Sequence, residues 1–384
     1  MSKVKVFGAL TLAVVLAALI VLVVLTLRGL DNSGQQTRTA SSAAPKAQMP
    51  AQSRDSAAIG QAPRLEQEST TPEDCVLPYM QGTDAGLSDQ ELADRYLAVS
   101  ESITANLVAS HDPELLVVAA MFEEDEEVGL ELATKAVELA PNNSLVLWNA
   151  LMNCFDPDLC PSLEWLQRLA VVDSENSDVW MSLAVEQMRL GDEKAALGSL
   201  ERAANAASAN LYYVDTIEMG VRAFTAAGSN LPFHAAVNYA FGITTGKLPQ
   251  YAGYVNLCRT MGKDSPVVAE HCLRYAQQSQ AKSNPLIAKS IAADLEAVAL
   301  EQLGYDGQAA SLRERNRQAI ELATEAHFGE ATDVEALEAY MSYSPANLES
   351  FLGHFRTQGE LAAFRALEQE KQAFDKQYLS SGCE

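Results

Sequence analysis

Val6 to Leu27, VFGALTLAVVLAALIVLVVLTL, is a run of 22 residues without a single charge. A stretch this apolar must be covered on all sides, by protein or by lipid. As a helix it would measure roughly 33 Å, against a bilayer hydrocarbon core of about 30 Å. A cleavable leader carries a shorter apolar region of about 7–15 residues followed by a small-x-small site. Here the run ends in TLRGLDNSG, which offers no such site, and no Cys lies near it for lipoprotein-type processing. Lys3 and Lys5 precede the run and Arg28 closes it. The segment therefore reads as an uncleaved signal anchor, with residues 1–5 a short basic cytoplasmic tail, 6–28 the span, and the rest exported. The charge bias that orients it is small, because Arg28 and Arg38 nearly balance the two lysines.

Residues 29–74 read as a linker. Its Ser, Ala, Gln, Thr and Pro, with no aromatic residue between Asp31 and Pro72, cannot bury enough apolar surface to offset the entropy of ordering. As a flexible coil it would hold the body on the order of 35 Å from the bilayer. The charge is divided with the architecture. Residues 1–72 carry seven Lys/Arg against four Asp/Glu, and the remainder 20 basic against 47 acidic groups, a net of −27. Nucleic-acid phosphate and anionic headgroups would be repelled by such a body, which excludes nucleic acid as a partner.

From Leu87 onward the chain reads as helix, and residues 75–384 as one all-α domain. Ser88 with Glu91, and Thr332 with Glu335, fit the capping box. Ser265-Pro266, Asn284-Pro285 and Ser344-Pro345 each place a capping residue before a proline at the first helical position. Breaks containing Gly or Pro recur along the chain, and no run of β-branched alternation intervenes. The helices expected are 88–109, 113–121, 126–140, 144–154, 162–172, 177–189, 193–207, 210–227, 232–242, 250–261, 266–280, 285–303, 306–327, 333–342, 345–357 and 360–377.

Within NSDVWMSLAVEQMRLGDEKAALGSLERA, residues 176–203, Trp180, Leu183 and Ala184 stand on one helix, Gly191 begins a turn, and Ala196, Leu200 and Ala203 follow on the next. Small residues at 184 and 196 let two antiparallel helices approach, and Leu183 and Leu200 fill the space beside them. This spacing resembles the tetratricopeptide repeat, with Gln187 in place of the expected Tyr and Ser208 in place of the terminal Pro. Trp148 and Leu151 stand 32 residues before Trp180 and Leu183, and Ala136 and Pro141 fall as at the end of a preceding repeat. Residues 299–315 repeat the pattern loosely, with Gly304 and Ala309 in place, whereas 209–284 fit it poorly. The resemblance covers 113–208 well and 285–327 loosely. It implies an α-solenoid whose concave face, lined by the first helix of each hairpin, holds a protein or peptide partner, here through Asn149, Asn153, Ser182 and Gln187.

A second candidate surface is aromatic. Tyr212, Tyr213, Phe224, Phe233, Tyr239, Phe241, Tyr251 and Tyr254 fall within 44 residues, where the repeat period breaks. Such side chains concentrate at interfaces, and they equally fill the core of an irregular helix stack. Tyr212, Tyr213, Tyr251 and Tyr254 are the candidate partner contacts.

The six cysteines all follow the apolar run, as in an exported domain that meets an oxidising compartment. Cys154 and Cys160 flank the short loop FDPDL, and Cys258 and Cys272 lie on consecutive helices joined at GKDS, so each pair can meet. Cys75 and Cys383 remain, and joining them would pin both ends of the body.

Chemistry is sparse. The five histidines, His111, His234, His271, His327 and His354, show no i, i+4 pairing, and there is no C-x₂-C, so neither a zinc helix nor a ribbon is indicated. Ser279 and Lys282 form an S-x-x-K without its companion K-T-G, and no G-x-S-x-G or phosphate loop occurs. Residues 123–127, EEDEE, sit where a helix starts, a place that favours negative charge. No catalytic residue, metal site or cofactor is implied. The expectation is a single-pass scaffold or adaptor of a bacterial inner membrane, its body in the periplasm, binding other proteins. The rival is an envelope hydrolase, of peptidoglycan or peptide, with a site assembled from distant residues. A reporter active only outside the cytoplasm, fused after Glu384, is expected to be active while the chain stays in the membrane at full length. A shortened soluble product would refute the anchor.

Overall fold

Six helix starts among the described residues carry a side chain that accepts from the free backbone N–H groups of the first turn, whereas Pro161, Tyr212, Ser265, Pro285 and Gly359 cap theirs without one. Pro285 stands at the cap and not, as expected, at the first helical position after a capping Asn284. Asp112 accepts from Glu114 and Leu115, Asp125 from Glu127 and Val128, and Asn143 from Leu145 and Val146. Asn176, Asp192 and Ser344 do the same for Asp178, Ala195 and Asn347. Pro113, Pro266 and Pro345 open their helices, where a missing N–H costs nothing. The computed structural model describes residues 77–80, 102–123, 125–154, 159–227, 232–246, 251–328 and 334–381. After a single 3-10 turn, Pro78–Met80, the described residues are all α-helical between their loops. In chain order the helices are α1 (102–110), α2 (Pro113–Phe122), α3 (Glu126–Leu139), α4 (Ser144–Met152), α5 (Ser162–Val172), α6 (Ser177–Arg189), α7 (Glu193–Asn205) and α8 (Tyr213–Ala226). There follow α9 (Phe233–Gly246), α10 (Tyr251–Gly262), α11 (Pro266–Lys282), α12 (Leu286–Gln302), α13 (Asp306–Phe328), α14 (Val334–Met341), α15 (Pro345–Gln358) and α16 (Glu360–Ser380). The expected helix order is observed throughout the described residues.

The first six of these after α1 form three hairpins, α2/α3, α4/α5 and α6/α7, each packed on the next. Ala184, Ala196, Leu200 and Ala203 are fully buried, and Trp180, Leu183, Trp148 and Trp165 nearly so. The small side chains at 184 and 196 thus do bring α6 and α7 together. Gly191 and Gly304, at φ +80° and +83°, end α6 and α12 in the left-handed conformation that glycine adopts without strain. The similarity of residues 299–315 to the 184–202 stretch is therefore one of turn geometry as well as of spacing.

After α7 the stacking order breaks. The α8/α9 hairpin lies across α2 and α4, and it touches α15. The neighbours of α6 and α7 are then α10 and α11, with α12/α13 packed beyond them and α14, α15 and α16 closing the chain. The device that turns the chain is at the α7–α8 loop. Asn176, fully buried, donates through Nδ2 to the Asn210 carbonyl at 2.8 Å, while its Oδ1 accepts from Asn210 N at 3.0 Å and Asp178 N at 3.1 Å. Beside it Ser177 N donates to Ser208 O and Ser208 N to Glu175 O. Tyr212 then adopts φ +54°, and its hydroxyl donates to Asp173. Farther on, Gly220 lets α8 lie close to α9: a Cβ there would stand 2.9 Å from that of Ala240.

Cys154 and Cys160 stand at disulfide distance, Cα–Cα 5.7 Å, across the α4–α5 loop. Cys258 and Cys272 do so between α10 and α11, at 5.9 Å. Cys75, Cys383 and the Val6–Leu27 run lie outside the described residues. Among the described residues no helix is long and apolar enough to cross a membrane.

The Asn176 clamp should cost more to remove than a helix cap alone. Asn176→Ala loses a cap, about 0.5–2 kcal/mol, and two hydrogen bonds to the Asn210 backbone, about 0.5–1.5 kcal/mol each. The sum expected is roughly 1.5–5 kcal/mol by urea denaturation, against about 0.5–2 kcal/mol for Asp125→Ala, which loses only a cap. Equal losses in the two variants would mean that the clamp does not direct the chain.

Candidate functional site

The first helices of the hairpins supply the residues expected to face a partner, and the chain itself occupies that face. Asn149 on α4 is buried and exchanges hydrogen bonds with Thr216 of α8, at 3.0 and 3.1 Å. Asn153 is buried and donates to the Asn149 carbonyl. Ser182 on α6 lies 2.6 Å from the Tyr254 hydroxyl of α10. Gln187 accepts from Ser199 of α7 at 2.7 Å. Thus α8 covers α4 and α10 covers α6.

The aromatic residues of 211–254 form the seams of that cover. Phe224 and Tyr239 meet Phe122 of α2 edge-on, at 5.5 and 5.3 Å. Tyr212 packs on Trp148 at 5.5 Å, and the half-buried Tyr213 on Phe355 at 5.6 Å. Tyr251 and Tyr254 pack on each other, and Tyr254 on Tyr275 of α11. Phe224, Phe241, Tyr212 and Tyr254 are buried. This segment is core, because a hairpin that leaves the repeat register needs large side chains to fill the gaps it makes.

Where α6, α10 and α11 meet there is a buried polar cluster that spacing did not reveal. Tyr275 donates to Asp178 Oδ1 at 2.8 Å. Asp178 Oδ2, Ser177 Oγ and the Tyr251 hydroxyl are buried without a hydrogen-bond partner. Burial pushes the Asp178 carboxyl up to about 6; the Tyr275 hydrogen bond opposes the shift and the charge of Asp173 adds to it. Burial also raises the hydroxyls of Tyr254 and Tyr275, with the Asp178 charge adding. Burial likewise lifts Asp294 to about 6, against the pull of Arg313 and Asn316. Glu360 is raised by burial too, although the Leu286 N–H donates to it at 2.7 Å. An acid at the second position of a helix is commonplace, so nothing in the sequence singled out Asp178; its partner is 97 residues away.

The outer side of the stack carries a groove of about 390 Å³ between α5 and α7, floored by α6. Trp180 and Leu183 form the floor, Ala170 and Val171 one wall, and Gly198 and Arg202 the other. The Trp180 indole is fixed by donating Nε1–H to the Ser174 carbonyl at 2.7 Å. The Arg202 guanidinium lies over that ring, 4.6 Å from its centroid. Gln187 and Ser199 close one end. Neither carboxylate nor histidine lines this groove. Of the partner contacts expected from sequence, Asn149, Asn153, Ser182, Gln187, Tyr212, Tyr213, Tyr251 and Tyr254, only Gln187 belongs to it. Arg202 was missed because a lone arginine on an exposed helix face is usually solvated.

Among the described residues there is no group of three or more His, Cys, Asp or Glu placed to hold a metal ion. Ser279, of the S-x-x-K, is buried and 3.2 Å from Ser283. Comparisons with protein-family models, with curated proteins and with solved structures found no match to this chain.

The Asp178 shift has a definite sign. A carboxyl that titrates near 6 in the folded chain and near 3.8 otherwise binds its proton more tightly when folded. Its contribution to stability is therefore greatest below pH 4 and declines as the pH rises towards 6. Asp178→Asn keeps an acceptor for Tyr275 and removes the charge. It should be about 1–3 kcal/mol more stable than wild type at pH 7, since each pKa unit is about 1.4 kcal/mol. It should also show a shallower decline between pH 4 and 6, with Asp294 and Glu360 supplying what remains. Chemical denaturation across this range checks it, and a variant less stable than wild type at pH 7 would contradict the account.

Proposed function

We propose that this chain is a scaffold of the bacterial envelope, anchored in the inner membrane by Val6–Leu27, that holds another protein on a tetratricopeptide-like helical body in the periplasm. The observation that carries the reading is the preformed groove on the outer side of the α2–α7 hairpin stack. Its lining is an aromatic floor, aliphatic and glycine walls, three amide or hydroxyl groups and one cation, a set suited to binding. A cavity of this size falls within the range of side-chain and ligand pockets, about 300–1,000 Å³. Two cysteine pairs at disulfide distance accord with an oxidising compartment. The tetratricopeptide spacing of 176–203 favours a binding role, with the departure that α8 and α10 occupy the concave face on which the family's ligands are expected. The hydrolase reading would want a titratable group lining a cleft; Asp178, whose carboxyl burial pushes up to about 6, is packed inside the stack, 1 % exposed.

Photo-crosslinking of the full chain in its own envelope tests the scaffold. A photoreactive residue is placed in turn at exposed positions of the body, such as Val128, Val171, Leu322 and Leu379. At least one position is expected to yield a discrete adduct with a second polypeptide, recovered in proportion to the bait. If no position yields one, the scaffold reading fails.

A further inference from the structure

We propose that the groove between α5 and α7 receives an extended peptide of a partner protein that carries an apolar side chain next to a single carboxylate. The inference rests on the scaffold reading and names the surface and the chemistry of what docks there. Trp180 and Leu183 form an apolar floor that keeps only 8 % and 3 % of its surface open, while Val171 on the rim is 79 % exposed, so the apolar surface facing solvent is mainly that of the rim. An apolar side chain seated there would cover Val171 and the open edge of the floor.

Gly198 points to close approach. It lies inside α7, where glycine costs about 1 kcal/mol relative to alanine. Its backbone has no positive φ, and a Cβ there would meet nothing within 4 Å, so the fold itself makes no demand for glycine. Without a side chain the α7 wall is open to a peptide laid along it.

Arg202 supplies the charge complement. It is the one charged residue lining the groove, on a chain of net charge −24, and it forms no ion pair among the described residues. The guanidinium lies over the indole and makes no side-chain hydrogen bond among the described residues, so its N–H groups can match a carboxylate in a bidentate pair. A partner rich in acids would be repelled by the body as a whole; one carboxylate beside an apolar residue is not. At the other end Ser199 donates to Gln187 Oε1, and the Gln187 Nε2 has no partner among the described residues. That amide is placed to donate to a peptide carbonyl.

The test pans a phage-displayed library of random octapeptides against the full chain in lipid nanodiscs. Enriched clones are then made as synthetic peptides and titrated against wild type, Gly198→Leu and Arg202→Gln. The expected consensus is an apolar residue adjoining Asp or Glu. Replacing that acid by its amide should weaken binding to wild type by about tenfold or more, the equivalent of one charge-assisted hydrogen bond. In Arg202→Gln the acid and the amide should bind alike. Gly198→Leu fills the groove and should abolish binding while melting no lower than wild type, because its added side chain meets open space. The proposal is overturned if no peptides are enriched, or if they bind Gly198→Leu as tightly as wild type. A dimer that Gly198→Leu dissociates in sedimentation would assign the groove to a second copy of the chain, and overturn it as well. Partner adducts in the envelope that persist in Gly198→Leu would leave the scaffold standing and remove only the groove.

Discussion

Asn176 is the residue on which the arrangement of the rest depends. A stack of helical hairpins grows by simple repetition, each pair burying the apolar face of the one before. Asn176 caps α6 and at the same time takes both backbone groups of Asn210, so the loop after α7 is pinned beside the loop before α6. From there the left-handed Tyr212 sends α8 back across α2 and α4 instead of onto α7. Because Asn176 is fully buried, its own amide is paired here or is unpaired in the interior.

Turning back has two consequences. The face formed by first helices is filled by the chain's own side chains, as Asn149–Thr216 and Ser182–Tyr254 show. The faces of α6 and α7 that the next repeat would have covered are taken by α10 and α11, helices from much later in the chain. The contacts that hold the body are therefore long-range in sequence, and the Cys258–Cys272 pair sits where α10 turns into α11, at the base of that second layer. What the redirected chain leaves open is the outer side of α5, α6 and α7, where the groove lies.

How much of this could be read beforehand divides along range. Helix starts and ends were legible, because Asp125, Asn143, Pro266, Gly191 and Gly304 act on their own first or last turn. The 154–160 and 258–272 cysteine pairs were legible because short loops place them together. The path of α8 was not, since Asn176 and Asn210 look like two ordinary polar residues 34 positions apart. Nor was the role of the aromatic segment: period breakdown between 209 and 284 marks a change of packing without saying which surfaces meet, and Phe122, Trp148 and Phe355, which receive those rings, lie outside it. The groove's amide Gln187 was visible as a departure from the repeat pattern. Arg202 acquires meaning only once α7 is laid over Trp180.

A stack with open ends exposes apolar edges, and both ends of this one are covered. At one end α1 buries Ile103 and Leu107, while Asn106 donates to the Ala227 carbonyl that ends α8. At the other, the 3-10 turn lays Tyr79 among Tyr340, Tyr343 and Phe374, with its hydroxyl donating to Asp375 at 2.6 Å and Lys371 over its ring. Tyr79 stands near the start of the body and Asp375 in its last helix, 296 residues apart. The described residues near Tyr79 thus pack against α14 and α16, late in the chain.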